Sequence, residues 1–380
     1  MTSPSPEPPV FPSAAAAMQA ALALAEKAVG LSDPNPRVGC VIVDAQGHLL
    51  GQGHTQQAGG PHAEIMALRA ARDAGHSLQG ATVYVTLEPC AHFGRTAPCA
   101  NALIEAGPAK VVAALEDPNP KVAGQGLAAL RQAGIEVELG LMAEQAAELN
   151  IGFLHRMRTG RPFVRLKWAS SLDGRTAHPD GHSQWITGDA ARLDNQAWRR
   201  RAGAIVTGVG TVLADDPRLD VRALPTSLQP LRVVLDSQAR TPPTARILLP
   251  PGQVLLLHAE GAHPVAALNA ECRAIPRRKL GLDLEAVLAH LAEREINELH
   301  VEAGARLNGS WLAAGRVDEL LIYQAPRLIG PGRACADLAA PLPLDEAHRW
   351  RWHEVQPIGT DLRLRLRSPH PSAKGNRASP

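Results

Sequence analysis

The 380-residue chain is long for one compact domain, so two domains are the natural expectation. With 45% hydrophobic and 20% charged residues it has the composition of a soluble globular protein, and no apolar run approaches the roughly 20 residues of a membrane helix. A formal net charge of +2 gives no sign of a general nucleic-acid or membrane binder. Five cysteines, an odd number, argue against a disulfide framework and favour a reducing, cytoplasmic location.

Strands and helices are predicted to alternate along the first part of the chain. An Ala-rich amphipathic helix ends at Gly30, and a hairpin through Gly47 joins the strands RVGCVIVD and LLGQGHT. Three further strands each follow a predicted helix: ATVYVTLE after residues 62–74, KVVAAL after residues 99–106, and IEVELG after GLAALRQAG. This alternation is typical of a layered α/β domain.

A connecting helix is predicted to end near Gly160, and a second α/β series follows it. We therefore predict one domain over residues 13–158 and another over residues 159–368. Residues 1–12 and 369–380 are rich in Pro and Ser and are predicted to be disordered. The second series contains the segments FVRLKWAS, AIVTGVGTVL, LRVVLDS, QVLLLHA, ELHVEAG and ELLIYQAP.

A histidine and two cysteines in the first domain supply the donor types of a catalytic zinc site. His62 opens a helix, Cys90 is predicted at the end of a strand, and Cys99 begins the next helix. One imidazole and two thiolates leave the fourth zinc position to water, whose pKa the metal lowers towards 7. Glu64, on the same helical turn as His62, can carry a proton to a departing nitrogen. The pattern H-x-E…P-C…C predicts a zinc-dependent nucleobase deaminase.

The three remaining cysteines are not predicted to bind the metal. Cys40 lies in an apolar strand and is predicted to be part of the core. Cys272 and Cys335 have no partner at ligand spacing, and the sequence assigns them no role.

The order of the motifs extends this prediction to a family. NPRVGCVIV, HAE, EPCAHFGRTAPC and EDPNPKVAGQG resemble the deaminase half of the bifunctional riboflavin-biosynthesis deaminase–reductases. KWASSLDGRTA, SQWIT, TGVGTVLADDPRLDVR, LDS and VEAGARLNGSWLAAGRVDELLIY are similar to the reductase half. The resemblance covers roughly residues 13–365. It implies a cytidine-deaminase-like three-layer domain followed by a dihydrofolate-reductase-like α/β domain.

The resemblance also implies ligand-binding residues in the second domain. Residue chemistry alone does not identify a cofactor site there, because Gly208 and Gly210 lack the third glycine of a dinucleotide-binding fingerprint. Two arginines of the substrate set suit a ribose phosphate, which guanidinium groups bind bidentately. NADPH is expected at Ala169, Trp185, Thr211, Asp215, Ser237 and the segment beginning at Gly304. Substrate is expected at Asn35, Lys167, Ser183, Arg199, Leu219, Arg222 and Glu302.

Deamination of 2,5-diamino-6-(5-phosphoribosylamino)pyrimidin-4-one, followed by NADPH reduction of its ribosyl group to ribityl, is the activity that the resemblance implies. It also favours a homo-oligomer with a small-molecule substrate and no nucleic-acid or membrane partner. Two other functions stay open. A tRNA or DNA base deaminase is disfavoured by the near-zero net charge and the lack of a basic, aromatic-rich stripe. A non-catalytic nucleotide-binding protein would be expected to lack part of the deaminase set, which is complete here.

Overall fold

The computed structural model describes residues 9–91, 98–120, 122–265, 268–278, 281–341, 344–345 and 349–368. The chain packs as two compact units, residues 1–158 and 159–380. Within the described ranges, no helix has both the length and the apolar character that crossing a bilayer requires.

The segment at residues 9–12 differs from its prediction. Residues 1–8 and 369–380 of the predicted disordered termini lie outside the described residues. The prediction is wrong for residues 9–12, because Val10 forms an antiparallel bridge with His48 and the Phe11 N–H donates to the Gly47 carbonyl at 2.8 Å. The backbone of this Pro-rich segment thus pairs with the turn of the first hairpin.

The first unit is a five-stranded sheet in the order β2-β1-β3-β4-β5. The hairpin β1–β2 and the pair β1–β3 are antiparallel, and β3, β4 and β5 run parallel. The strands are β1 Gly39–Val43, β2 Leu49–His54, β3 Thr82–Val85, β4 Lys110–Ala113 and β5 Glu136–Leu139. The helices are α1 Ala14–Glu26, α2 Ala63–Asp73, α3 Cys99–Ala106, α4 Gln125–Gln132, α5 Ala143–Leu149 and α6 Ile151–Thr159.

Apolar side chains on both faces of this sheet make the unit three-layered. Val41 of β1 packs with α1 and α5, whereas Cys40 and Ile42 pack with α2, α3 and α4 on the other face. Cys40 is fully buried, which confirms its predicted place in the core.

Two glycines of β2 bring α2 against the sheet. A Cβ atom at Gly51 would lie 2.3 Å from the Ala67 carbonyl oxygen, and one at Gly53 would lie 2.4 Å from Met66 Cβ. Only glycine allows this approach, which fixes the start of α2, where His62 and Glu64 lie.

The predicted connecting helix is two helices, α5 and α6, that meet at Asn150. The Asn150 side chain accepts from the Arg37 N–H at 2.8 Å and donates to the Arg37 carbonyl at 2.9 Å. Because an asparagine amide offers a donor and an acceptor to a distant backbone, it favours a break over a continuous helix.

The second unit contains a nine-stranded sheet in the order β11-β10-β9-β8-β14-β6-β15-β18-β17. It is parallel from β11 to β15, and the hairpin β17–β18, which the sequence analysis passes over, adds antiparallel strands at one edge. The strands are β6 Phe163–Ser170, β7 Arg175–Ala177, β8 Ala204–Gly208, β9 Leu231–Leu235, β10 Val254–Ala259, β11 Glu271–Ile275, β12 Arg277–Arg278, β13 Gly281–Leu282, β14 Glu298–Glu302, β15 Glu319–Gln324, β16 Arg333–Ala334, β17 Arg351–Ile358 and β18 Asp361–Arg367. The helices are α7 Asp189–Arg201, α8 Val209–Asp215, α9 Leu284–Glu293 and α10 Ala305–Ala313.

The two faces of the central strands of this sheet differ in polarity. Val164, Leu166 and Val301 lie in the apolar core that also contains residues of α9 and α10. On the other face Arg165 is fully buried between strands, with its Nη1 2.9 Å from Glu298 and its Nε bonded to Glu319. Trp198 of α7 covers it, with the ring centroid 4.5 Å from the guanidinium carbon.

Replacing Arg165 is expected to destabilise the second unit strongly. Arg165→Met keeps the apolar stem but leaves Glu298 and Glu319 without this partner, and breaking a buried pair costs about 3–5 kcal/mol. Urea unfolding followed by tryptophan fluorescence measures this, since all six tryptophans lie in residues 159–380. The control is Arg294→Ala, which removes the surface pair of Arg294 with Glu271 and should cost less than about 1 kcal/mol. Equal effects of the two variants would contradict the structural role of Arg165.

Candidate active sites

Three predicted metal ligands meet in the first unit. His62 precedes α2, Cys99 is the first residue of α3, and their ligand atoms and the Cys90 sulfur all lie within 4.8 Å of one another. The His62 Nδ1 atom is 3.6 Å from the Cys90 Sγ and 3.4 Å from the Cys99 Sγ. Cys90 is not at the end of a strand as predicted, because β3 ends at Val85 and a loop carries Cys90 to the site.

The two cysteines shift each other's pKa in opposite directions. The hydrogen bond between their sulfurs lowers the pKa of Cys90 and raises the pKa of Cys99, and the Cys99 N–H also donates to the Cys90 sulfur at 3.3 Å. One imidazole nitrogen and two sulfurs at this spacing match zinc in donor type and number for a catalytic site. The residues present therefore fit zinc, which His62, Cys90 and Cys99 would hold.

Glu64 lies on the first turn of α2 and is buried. Burial raises the pKa of Glu64 to about 7; the charge of Cys90 adds to this rise, whereas His62 opposes it. A carboxyl group with this pKa can both accept and release a proton near neutral pH, as a proton carrier must.

Glu88 is a buried carboxylate that the sequence analysis missed. It lies two residues before Cys90 and ties the loop that carries this ligand to the start of α4. Its oxygens accept hydrogen bonds of 2.9 to 3.2 Å from the backbone N–H groups of Asp117, Gly124, Gly126 and Leu127. A glutamate directly before the Pro-Cys pair was the available signal.

Asn35, the predicted pyrimidine-binding residue, is half-buried in a turn. Its N–H donates to the Ser32 carbonyl at 2.8 Å, and its carbonyl accepts from the Ser32 hydroxyl at 3.2 Å. These bonds explain how the turn is held, and contact of the Asn35 side chain with substrate stays a prediction.

Three predicted substrate residues of the second unit, Lys167, Arg199 and Glu302, lie together. The Arg199 guanidinium binds both Glu302 oxygens, with Nε 2.6 Å from Oε1 and Nη2 3.0 Å from Oε2. The Lys167 Nζ is 3.9 Å from Oε2. The pairing of β14 with β6 places Glu302 opposite Lys167, so the register of the sheet creates this group.

Neighbouring charges lower the pKa of Glu302, and burial lowers the pKa of Lys167. Burial alone would raise the pKa of Glu302, but the charges of Arg199 and Lys167 outweigh burial and hold this pKa well below its usual value. Burial lowers the pKa of Lys167, and the charge of Arg199 lowers it further, against the opposing effect of Glu302. Glu302 therefore stays ionised, whereas Lys167 releases its proton more readily than an exposed lysine.

Asn195 and His300 also hold Glu302, and the sequence analysis missed both. The Asn195 Nδ2 donates to Glu302 Oε1 at 3.1 Å, and the His300 Nε2 lies 3.3 Å from both Glu302 Oε1 and Asn195 Oδ1. Since both of these neighbours are acceptors, the proton of His300 is on Nε2. The alternation E-x-H-x-E in β14 was the signal that these side chains share a face.

The predicted cofactor residues are only partly brought together. Gly304 precedes α10, and a Cβ atom there would lie 3.9 Å from the Thr211 Oγ1. Trp185 is 60% exposed, with the Arg192 guanidinium 4.3 Å from its ring centroid. Ala169 packs beside Leu321 and Tyr323, whereas Asp215 is exposed at the end of α8, Ser237 follows β9, and Ser183 is half-buried ahead of Trp185. Their grouping around one ligand stays a prediction.

Two further substrate residues belong to one loop. Leu219 has a positive φ of 49°, and the Arg222 Nη1 donates to the Asp220 Oδ1 at 2.9 Å. The Arg222 side chain is about half exposed, so part of its guanidinium can meet a ligand.

Family models match both units. The cytidine and deoxycytidylate deaminase zinc-binding region matches residues 12–115, and the RibD C-terminal domain matches residues 162–364. The fold class predicted from the resemblance is therefore confirmed.

Relatives of known identity match most of the chain. The riboflavin biosynthesis protein RibD of Escherichia coli K12 is 46% identical over 362 residues, which cover 92% of this chain and 98% of the relative. The protein of the same name from Haemophilus influenzae is 47% identical over 360 residues, which cover 91% of this chain and 95% of the relative.

Solved structures agree in fold. Acinetobacter baumannii RibD in its form 1 is 45% identical with a TM-score of 0.84, over 93% of this chain and 98% of that chain. A Thermotoga maritima diaminohydroxyphosphoribosylaminopyrimidine deaminase/5-amino-6-(5-phosphoribosylamino)uracil reductase is 33% identical with a TM-score of 0.83, over the same shares.

These similarities span both units, so neither a nucleic-acid deaminase with an appended domain nor a non-catalytic nucleotide binder describes this chain. It belongs to the RibD family and is a bifunctional enzyme of riboflavin biosynthesis, with a zinc-dependent deaminase and an NADPH-dependent reductase.

Proposed function

We propose that residues 13–158 deaminate 2,5-diamino-6-(5-phosphoribosylamino)pyrimidin-4-one, with His62, Cys90 and Cys99 as zinc ligands and Glu64 as the proton carrier. One observation carries this proposal: three ligand atoms lie within 4.8 Å, and a buried carboxyl group stands two residues from the histidine.

Bound zinc supplies a water nucleophile at neutral pH. Glu64 takes the proton of the attacking water and passes it to the departing ammonia, which its raised pKa permits. Asn35 binds the pyrimidine, and Glu88 keeps the loop of Cys90 in place through its four backbone hydrogen bonds.

Residues 159–368 reduce the ribosyl group of the deaminated product to ribityl. Bound NADPH would supply the hydride that C1′ of the open-chain imine accepts, and the imine nitrogen gains a proton. Lys167, with its lowered pKa, is the proton source in this proposal, and ionised Glu302 orients Lys167 and Arg199. Arg222 binds the substrate phosphate, and Ser183 and Leu219 line the same substrate.

The NADPH site of this proposal is centred on the start of α10. Backbone N–H groups at a helix N-terminus favour phosphate, and Thr211 lies beside Gly304 there. The exposed Trp185 offers a ring face to the cofactor, with Ala169, Asp215 and Ser237 as further contacts.

A homo-oligomeric state and a cytoplasmic location belong to the same proposal. All five cysteines are free, which supports a reducing compartment. The edge strand β17 exposes Trp352 and Val355, the kind of apolar edge that proteins usually cover, which supports association with a second copy. Light scattering on the purified chain measures the oligomeric state.

Replacing one thiolate ligand is expected to remove zinc without harming the reductase. Cys99→Ser should lower the zinc content from about one per chain and abolish ammonia release, because catalytic zinc needs three protein ligands. Cys272→Ser is the matched control, since Cys272 is exposed on β11. Metal analysis and both activity assays are read together; full zinc content in Cys99→Ser would remove Cys99 from the ligand set.

Glu64→Gln is expected to separate proton transfer from metal binding. The amide preserves size but cannot carry a proton, so ammonia release should fall by about 10²–10⁴-fold while zinc content is unchanged. NADPH oxidation on the deaminated substrate should match the parent. Glu105→Gln on the exposed face of α3 is the control. Loss of zinc would make Glu64 a ligand, and surviving deamination would place the proton carrier elsewhere.

Glu302→Gln is expected to impair only the reduction. The amide leaves the charges of Arg199 and Lys167 uncompensated, and hydrogen bonds to charged groups contribute about 1.5–3 kcal/mol, so kcat/KM should fall by about ten- to hundred-fold. Ammonia release and zinc content should not change. Glu293→Gln on the exposed face of α9 is the control. Parent-like NADPH oxidation would exclude Glu302 from the site.

A further inference from the structure

Two arginines are held by one buried carboxylate in the segment RLDVR, residues 218–222. Asp220 is 4% exposed; its Oδ2 accepts from the Arg218 Nε at 3.1 Å and Nη2 at 2.8 Å, and its Oδ1 accepts from the Arg222 Nη1 at 2.9 Å. In an extended chain, residues four apart are separated by about 13 Å. Leu219, with its φ of 49°, turns the backbone here, and both guanidinium groups reach the same carboxylate.

The loop of residues 218–222 also contacts Arg199, which binds Glu302. The Arg199 Nη1 donates to the backbone carbonyl of Asp220 at 3.2 Å, while the Arg199 Nε and Nη2 bind Glu302. Arg218 and Arg222 are thus fixed beside the residues to which the reduction is assigned.

Positive charge is in excess around Asp220. The charge of Arg199 is compensated by that of Glu302. Asp220, by contrast, interacts electrostatically with three guanidinium groups, those of Arg218, Arg222 and the buried Arg232. The Arg232 Nη2 donates to three backbone carbonyls, those of residues 250–252, and its charge remains. Three guanidinium groups against one carboxylate suit a phosphate monoester, which carries about −1.5 to −2 at pH 7.

Arg218 retains hydrogen-bonding capacity for a ligand. Its side chain is 40% exposed, and its bonds to the described residues use Nε and Nη2. The two N–H groups on Nη1 are therefore free to donate to a phosphate oxygen, as guanidinium groups commonly do.

We propose that Arg218 binds the phosphate of the reductase substrate together with Arg222, and that Asp220 is the positioning residue that holds both arginines. This inference rests on the proposed function, in which Arg222 meets that phosphate. It makes Arg218 a determinant of specificity for the phosphorylated substrate over its dephosphorylated counterpart.

The test compares Arg218→Ala with the parent on two substrates, the deaminated phosphoribosyl compound and the same compound without its phosphate. The variant should raise KM for the phosphorylated substrate by about ten- to hundred-fold, since a charge-assisted bond is lost. The kcat/KM for the dephosphorylated substrate should stay within about twofold of the parent. Arg218→Lys should recover part of the loss, and Arg273→Ala on the exposed edge strand β11 is the control.

Several outcomes overturn the inference. Equal losses on both substrates would make Arg218 a structural residue. A loss that appears with NADPH but not with NADH would assign Arg218 to the 2′-phosphate of the cofactor. A parent that reduces both substrates equally well would overturn the phosphate role of Arg222 as well, and a parent that reduces neither would overturn the proposed function itself.

The positioning role of Asp220 is tested by a double-mutant cycle. Asp220→Asn should raise KM for the phosphorylated substrate, and adding Arg218→Ala should cost clearly less than it does in the parent, because the arginine is already released. Fully additive effects would show that Asp220 does not act through Arg218.

Discussion

A fully buried guanidinium, that of Arg165, organises the reductase unit. It lies on β6 between Glu298 of β14 and Glu319 of β15, so one side chain joins three strands. Burying a charge without partners costs several kcal/mol. Arg165 can therefore be buried under Trp198 of α7 only because the register of these strands places Glu298 and Glu319 beside it. The same alternation continues for two more residues along β6 and β14. There it brings Lys167 opposite Glu302, beside the predicted substrate residue Arg199.

The two sites tune carboxyl groups in opposite directions. Glu64 is buried, and burial outweighs the opposing charge of His62, which raises its pKa to about 7 and suits a group that exchanges protons. The Glu302 side chain is also largely enclosed, at 12% exposed, but Arg199 and Lys167 hold its pKa well below the usual value. Glu302 is thus a fixed anion that orients cations, and the proton donor of the proposed reduction is Lys167.

Both sites also depend on carboxylates that touch no reacting atom. Glu88 binds four backbone N–H groups and holds the loop of Cys90 against the start of α4. Asp220 holds Arg218 and Arg222 in the proposed phosphate site. In each case a buried anion holds together a short loop to which a ligand-binding role is assigned.

The grouping of His62, Cys90 and Cys99 near Glu64 and the alternation of strands and helices in the first domain were predictable from residue types at short spacing and from local periodicity. The three-layer arrangement of that domain was implied by the family resemblance. The hairpin β17–β18 and the interruption at Asn150 were not predicted. Nor could the alternation of charged and apolar residues in β6 and β14 show that the charged face is buried, since such a pattern is equally typical of a strand open to solvent. Periodicity determines which side chains share a face. Which partners cover that face, and so whether Arg165 and His300 are solvated or buried and paired, depends on contacts between residues far apart in the chain. That was decided only by the tertiary structure, as was the burial of Asp220.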